Sequence, residues 1–294
     1  MRQSAPMSAP DITPAQRTPR DWARPLRYAL RTPVLLVHLL VGLPLTLLAL
    51  LPPHRGLLDR RGERLDHRAI RWWSGVLMRI FGLQLVRVGE PLGGATLFVA
   101  NHLSWMDIEI LHSQRMMCFV AKSEIERWPL VGWLAGRAGT IYHRRGSTES
   151  LSSVSAVMVE RLRAGLGVGV FPEGGTSAGD HVRTFHARIF QAAIDANVPV
   201  QPVALRFSRG GRYDTSIAFR ERENFLHNFL RVLGERATRV EIVFCAPVAV
   251  QGEGRRRIAE TARARIVAAL GVPDRRRANE PLSDDLNPLE EADA

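Results

Sequence analysis

The stretch VANHLSWMDIEIL, Val99 to Leu111, places an imidazole and a carboxylate five positions apart, His102 and Asp107, where an apolar run ends. If the run is a strand and the next residues turn into a helix, Asp107 folds back beside His102. The carboxylate then accepts a bond from one ring nitrogen and leaves the other facing outward as a lone-pair acceptor. An imidazole held in that way is a general base for a hydroxyl group. Ser104 sits where it can cap the new helix. The same residues also suit a capped turn with a satisfied histidine, and from this stretch alone both readings stand.

Three further stretches carry groups that suit a ligand. In GVGVFPEGGTS, residues 167–177, a glycine-spaced strand ends in Phe171-Pro172. Glu173 follows, then Gly174, Gly175 and Thr176. The glycines allow positive φ and close backbone approach, and successive amides there can cradle an anion. Glu173 is expected to point into the same crevice as His102. In RAGTIYHRRG, residues 137–146, a short strand ends in His143, Arg144 and Arg145. Guanidinium groups bond phosphate in a bidentate fork, although a solvated charge pair is the commoner use of such a dipeptide. NVPVQPVAL, residues 197–205, has two prolines, Pro199 and Pro202, which argue against a regular central strand and for a sheet edge or cleft wall. Lys122, the single lysine of the chain, closes the run CFVAK and joins the substrate-binding candidates.

From about residue 85 short Val/Ile/Phe-rich runs alternate with helical periods. Strands are predicted near 85–89, 95–100, 116–121, 138–142, 167–171, 199–205, 214–219 and 240–249. Helices are predicted near 104–112, 124–136, 149–164, 185–196, 222–233 and 255–270. That alternation implies an α/β domain over residues 85–272, a mostly parallel central sheet flanked by helices. Residues leaving the carboxyl ends of its strands, as His102 and Glu173 would, are placed for a ligand crevice.

Before that domain the chain is different. VLLVHLLVGLPLTLLALL, Val34 to Leu51, carries no formal charge. It is near the length a bilayer span needs, although His38, Thr46 and Pro44 interrupt it. Arginines flank it on both sides, Arg24, Arg27 and Arg31 before and Arg55, Arg60 and Arg61 after, so the positive-inside rule gives no orientation. In the helical stretch that follows, Ile70, Trp73, Leu77 and Ile80 share one face and Arg68, Arg71, Gly75 and Arg79 another, as in an interfacial helix. Residues 25–84 are therefore read as membrane-associated helices. Residues 1–24 and 273–294 are polar, Pro-bearing and aperiodic, and read as disordered tails.

The 294 residues include 40 basic against 29 acidic, a formal net charge of +11. Such a balance suits an anionic membrane surface, an acidic protein or nucleic acid. Nucleic acid is the weakest of these, because the paired Trp72 and Trp73 fall in the membrane-like stretch and no base-reading motif is visible. A serine esterase is disfavoured by the lack of a Gly-x-Ser-x-Gly elbow. The two cysteines, Cys118 and Cys245, lie in apolar runs and read as buried thiols, and no metal-ligand spacing appears.

The order of the motifs, Asn-His-x4-Asp, Gly-x5-Arg, Phe-Pro-Glu-Gly, then Val-Pro-x-x-Pro, resembles the glycerolipid acyltransferase family over about residues 70–210. The resemblance implies His102 as base and Asp107 as its partner. It implies Arg145, with Arg144 beside it, for the acceptor's phosphate, and Glu173 with Gly174 for acceptor binding. Pro199 and Pro202 match a mostly structural motif. It implies transfer of a fatty acyl group from acyl-CoA or acyl-carrier protein to a lysolipid hydroxyl, with the thioester as co-substrate and no cofactor. It implies membrane lipids, the lysolipid and an acyl-carrier protein as partners, and the bacterial inner membrane, cytoplasmic face, as the location. One departure stands out: the family often reads Phe-Pro-Glu-Gly-Thr-Arg-Ser where this chain has Gly175 and Thr176, so that loop lacks a guanidinium. Arg183 is near enough in sequence to compensate. Lysophosphatidic acid is the default acceptor, and a lyso-ornithine lipid the alternative.

Overall fold

The computed structural model describes residues 21–51, 54, 56–59, 62–128, 131–143, 148–177, 179 and 181–272. The chain begins with α1 (Arg24–Val37), a π-helical turn (His38–Gly42), α2 (Leu43–Leu50) and α3 (Leu65–Ile80). It continues through β1 (Leu83–Val88), β2 (Thr96–Ala100), α4 (Met106–Gln114), β3 (Cys118–Lys122), α5 (Val131–Arg137), β4 (Ile141–His143), α6 (Thr148–Arg163) and β5 (Gly167–Val170). It ends with α7 (Gln191–Ala196), β6 (Val200–Arg209), β7 (Arg212–Tyr213), α8 (Phe225–Leu233), β8 (Thr238–Phe244) and α9 (Arg255–Leu270).

Among the described residues these strands form one sheet in the order β1-β8-β6-β2-β5-β3-β4, with β7 on β6. β2 pairs in parallel with β5 and β6, and β3 in parallel with β5 and β4. β8 pairs antiparallel to β6 and parallel to β1. Every residue of β2 and β5 is buried, as expected of central parallel strands covered on both faces. Alternate side chains of β2 serve opposite layers. Leu97 and Val99 join a core with Met158, Leu162, Ile258 and Ile266 of α6 and α9. Phe98 and Ala100 join one with Met78, Met106, Ile110 and Val232 of α3, α4 and α8. The mostly parallel α/β architecture is therefore as the pattern of apolar runs implied.

Four local expectations are corrected. Pro202 lies inside β6, a central strand. Its missing N–H is tolerated because the ladder to β8 starts one residue later, at Val203 opposite Phe244. The strand expected over 214–219 is a loop. Asp214 accepts from Ser216 N at 3.0 Å and from Thr238 Oγ1 at 2.7 Å, an Asx-type turn that ends the β7 hairpin. The helix expected over 124–136 is split into a 3-10 turn, Ser123–Arg127, and α5, with Pro129 in the intervening sequence. Residues 21–24, assigned to a tail, are structured: Arg24 opens α1, and Asp21 pairs with Arg27 and with Arg236 at 3.3 Å. The remainder of both tails lies outside the described residues.

α1, the π turn and α2 make one helix of 27 residues, Arg24–Leu50. Among the described residues it is the one helix long and apolar enough to cross a membrane by length and composition. Pro44 does not end it, because the turn before the proline widens to π geometry. The helix docks at two places. His38 stacks on Trp73 of α3 with ring centroids 4.0 Å apart, and its Nε2 lies 3.1 Å from Trp73 O. At the other end Arg27 donates to Gly234 O at 2.7 Å, and Arg31 to Leu233 O at 2.8 Å and Glu235 O at 2.7 Å. The arginines read as membrane flanks thus cap the carboxyl end of α8. On the outward face Leu26, Leu30, Leu40, Leu45 and Leu48 stay exposed.

α8 is fixed at its other side by a buried pair. Arg231 donates from Nε to Glu223 Oε1 at 2.6 Å and from Nη2 to Glu223 Oε2 at 2.8 Å. Arg231 holds the Glu223 carboxyl down to about 2, against an ordinary 4.5. Glu223→Gln removes the nearer carboxylate of that guanidinium and leaves only Glu235 at 4.0 Å, a loss of about 3 kcal/mol. The folded value lies below the unfolded one, so the contribution is complete above 4.5 and fades as pH falls toward 2. Denaturant titrations of both proteins across that range should show the stability gap closing with acid. A gap independent of pH would mean the charge does not contribute.

Candidate active site

β2 ends at Ala100, and Asn101 immediately ties the exit to the next strand. Its Nδ2 donates to Leu205 O at 3.1 Å, and its Oδ1 accepts from Leu205 N at 2.8 Å. The chain then turns into α4 around the Asp107 carboxylate. Asp107 Oδ2 accepts from His102 Nδ1 at 2.8 Å, from Leu103 N at 2.6 Å and from Ser104 N at 2.9 Å. Ser104 Oγ accepts from Met106 N at 3.2 Å, so the expected cap is present and is shared with the aspartate. Asp107 is 0% exposed. Three N–H donors on Oδ2 offset the cost of burying the carboxylate, whose Oδ1 is buried without a partner among the described residues.

The carboxylate fixes the tautomer of His102. Nδ1 carries the proton donated to Asp107, and Nε2 keeps its lone pair and has no partner among the described residues. The side chain is 17% exposed. Phe171 lies flat against the ring, centroids 3.9 Å apart and planes 12° from parallel, and Phe119 stacks behind Phe171 at 5.6 Å. Glycine makes this column possible: a Cβ on Gly169 would meet the Phe119 ring at 2.6 Å. The glycine spacing of GVGVFPEG therefore makes room for aromatic rings, which the sequence reading did not anticipate. Phe171, Phe119 and Asn101 were all missed as site residues. Asn101 and Phe171 carry a signal, as the first residues of the Asn-His-x4-Asp and Phe-Pro-Glu-Gly motifs, whereas nothing in the sequence marks Phe119.

Glu173 differs from expectation. It is brought to His102, yet it does not face a crevice. It is buried, with Oε1 accepting from His102 N at 2.9 Å and Oε2 from Arg183 N at 3.0 Å. Burial pushes its carboxyl above the usual range, and the two amide bonds oppose that shift. Ser177 completes the clamp, its N donating to His102 O at 2.8 Å. Gly174 turns the loop with φ +72°, where a Cβ would meet His186 Nε2 at 2.9 Å. Gly175 and Thr176 are half-buried in the same loop, and Arg183 is exposed beside it. Lys122 ends β3 at the same edge of the sheet, exposed and 2.8 Å from Glu124. Arg144 and Arg145 lie outside the described residues. Cys118 is buried, and burial pushes the Cys245 thiol up. Among the described residues no His/Cys/Asp/Glu group is arranged to hold a metal ion. As a chemical device the cluster is an oriented imidazole that can take a proton at Nε2 and pass it on.

A family model described as Acyltransferase matches residues 82–206. Over 207 residues the chain is 38% identical to a lyso-ornithine lipid O-acyltransferase of Pseudomonas aeruginosa, covering 70% of this chain and 80% of that one. Over 146 residues it is 36% identical to a 1-acyl-sn-glycerol-3-phosphate acyltransferase of Neisseria meningitidis, covering 49% and 57%. Among solved structures, the 1-acyl-sn-glycerophosphate acyltransferase PlsC of Thermotoga maritima superposes with a TM-score of 0.60 over 84% of this chain and 97% of that one. At 21% identity that likeness is one of fold.

The clamp on His102 has a measurable consequence. Glu173→Gln exchanges one oxygen for an NH2 group that must face a backbone donor. Losing that anchor loosens the placement of His102, and kcat should fall about tenfold, with both KM values moving less, since Asp107 and Nε2 are untouched. Turnover at the wild-type level would show that the anchor is dispensable.

Proposed function

The chain belongs to the glycerolipid acyltransferase family and is an O-acyltransferase, and on that footing we propose that it moves a fatty acyl group from a thioester to the free hydroxyl of a lysolipid. The observation that carries this reading is the His102–Asp107 pair with Nε2 unencumbered. Nε2 removes the hydroxyl proton as the oxygen attacks the thioester carbonyl. The C–S bond then breaks, and the departing thiolate takes the proton back from the imidazolium. Asp107 steadies that cation between the two steps. Atoms and charge balance without a covalent acyl-enzyme, and acyl-CoA or acyl-carrier protein serves as donor.

For the acceptor we favour a lyso-ornithine lipid. The turn Gly174-Gly175-Thr176 has no guanidinium where the family often has one, and the relative named for that lipid shares more of this chain than the one named for 1-acyl-sn-glycerol-3-phosphate. Lysophosphatidic acid is the second reading, favoured by Arg144 and Arg145 directly after β4. The exposed leucines of α1 and α2 support membrane association, and the bacterial inner membrane, with the catalytic domain on the cytoplasmic face, is the location we propose.

Two experiments test this. Purified protein given labelled acyl-CoA or acyl-carrier protein with each lysolipid should yield ornithine lipid in preference to phosphatidic acid by mass. Phosphatidic acid as the dominant product would install the second reading, and acylation of neither would sink the proposal. His102→Ala should lose at least about two orders of magnitude in rate while remaining folded. Near-normal turnover in that variant would remove His102 as the base.

A further inference from the structure

The edge of the sheet away from His102 carries an open cavity of about 630 Å³. It is bounded by the start of α3, the carboxyl ends of α4, α5 and α6, and the turns leading into β3, β4 and β5. The five residues of β2 separate this edge from the turn at His102, about 16 Å of extended chain. The cavity is therefore distinct from the reaction centre, and what it binds does not depend on the acyl acceptor.

Its lining is strongly basic. Arg64, Arg71, Arg87, Arg115, Arg137 and Arg161 all face it, against two carboxylates, Glu63 and Asp66. Arg64 is held by Asp66 at 2.7 Å, Arg71 by Glu63 at 2.5 Å, Arg87 by Glu90 at 3.2 Å and Arg161, more loosely, by Glu160 at 3.8 Å. Arg115 and Arg137 have no carboxylate partner among the described residues. Arg115 donates to Gly94 O at 2.8 Å and to Leu92 O, and Arg137 stacks over Trp133 at 5.2 Å. The Nε atoms of Arg71, Arg115 and Arg161 are buried and meet no acceptor among the described residues. Those atoms are shielded from the cavity itself, so what calls for an anion is the excess of guanidinium over carboxylate on its wall. The wall also includes Gly165 and Gly167; a Cβ on Gly167 would come within 3.6 Å of Arg115 Nε.

We propose that this cavity is a phosphate-binding site. Phosphate offers three or more acceptor oxygens in the geometry that guanidinium forks match. Two sources present that same group. One is the headgroup of an anionic phospholipid, since Leu50, the last residue of the apolar helix, lines the cavity too. The other is a soluble phosphate compound.

The full-length protein in neutral detergent tests this without any acyl substrate. Inorganic phosphate is titrated against chloride at matched ionic strength, following the unfolding temperature. Binding to phosphatidylcholine vesicles is then compared with binding to equimolar phosphatidylcholine–phosphatidylglycerol vesicles. Arg137→Gln and Arg161→Gln are the variants, because neither side chain holds the fold through a buried ion pair. For a soluble ligand, phosphate raises the unfolding temperature of the wild type, and each variant binds about tenfold more weakly. For a lipid headgroup, the variants lose the wild type's preference for the anionic vesicles while binding neutral ones equally. His102→Ala should behave as wild type in both arms. Variants indistinguishable from wild type in both arms, or loss of phosphate binding in His102→Ala, would overturn the assignment.

Discussion

One carboxylate oxygen, Asp107 Oδ2, gathers three N–H groups at the corner where β2 passes into α4. Two of the donors are backbone amides, and the third is the His102 ring. The same bonds therefore shape the corner and orient the imidazole. Without the carboxylate, three donors would lie buried or half-buried with nothing to accept them, each at a cost of about 1–3 kcal/mol. The position of the corner matters equally. β2 is central and wholly buried, so its carboxyl end is the least mobile place from which a reactive side chain can be presented.

Three further contacts restrain His102 and leave Nε2 open. Its ring lies on Phe171, its amide is held by Glu173 and its carbonyl is held by Ser177. Those three contacts come from one segment, the end of β5 and its turn. The Phe-Pro-Glu-Gly sequence thus braces the histidine: phenylalanine supplies the flat support, glutamate the inward acceptor and glycine the positive φ. This arrangement explains how a carboxylate so close to the reacting group can avoid being a second acid or base. Both its oxygens are occupied by amides, and it is buried instead of facing the crevice.

The amino-terminal helix joins the same frame from outside. Its basic residues close the carboxyl end of α8, and His38 fits it to α3. Those contacts use one side of the helix and leave a leucine-rich side exposed. The two requirements on this segment, attachment to the catalytic domain and affinity for an apolar phase, are met on different faces. Trp72 and Trp73 divide accordingly, Trp72 exposed and Trp73 stacked against His38.

Much of this was legible in the sequence. Strand and helix positions follow from local periodicity, and His102 with Asp107 was readable as a pair because the bond between them spans five residues of one turn. The apolar face of α3 was visible in the spacing, but it packs in the core beside Met106 and Ile110 of α4 and not against a membrane as the interfacial reading expected. What the tertiary structure decided was partnership across long separations. Arg27 meets Gly234, 207 positions on, so arginines beside an apolar run became helix caps. Glu173 meets His102 across 71 positions and faces inward. Pro202 sits in a central strand because β8 happens to end opposite it. The arginines around the cavity come from five separate segments. The physical reason is common to all: periodicity and turn chemistry act within a few residues, whereas the acceptor a buried polar group finds depends on which distant segment the packed core brings beside it.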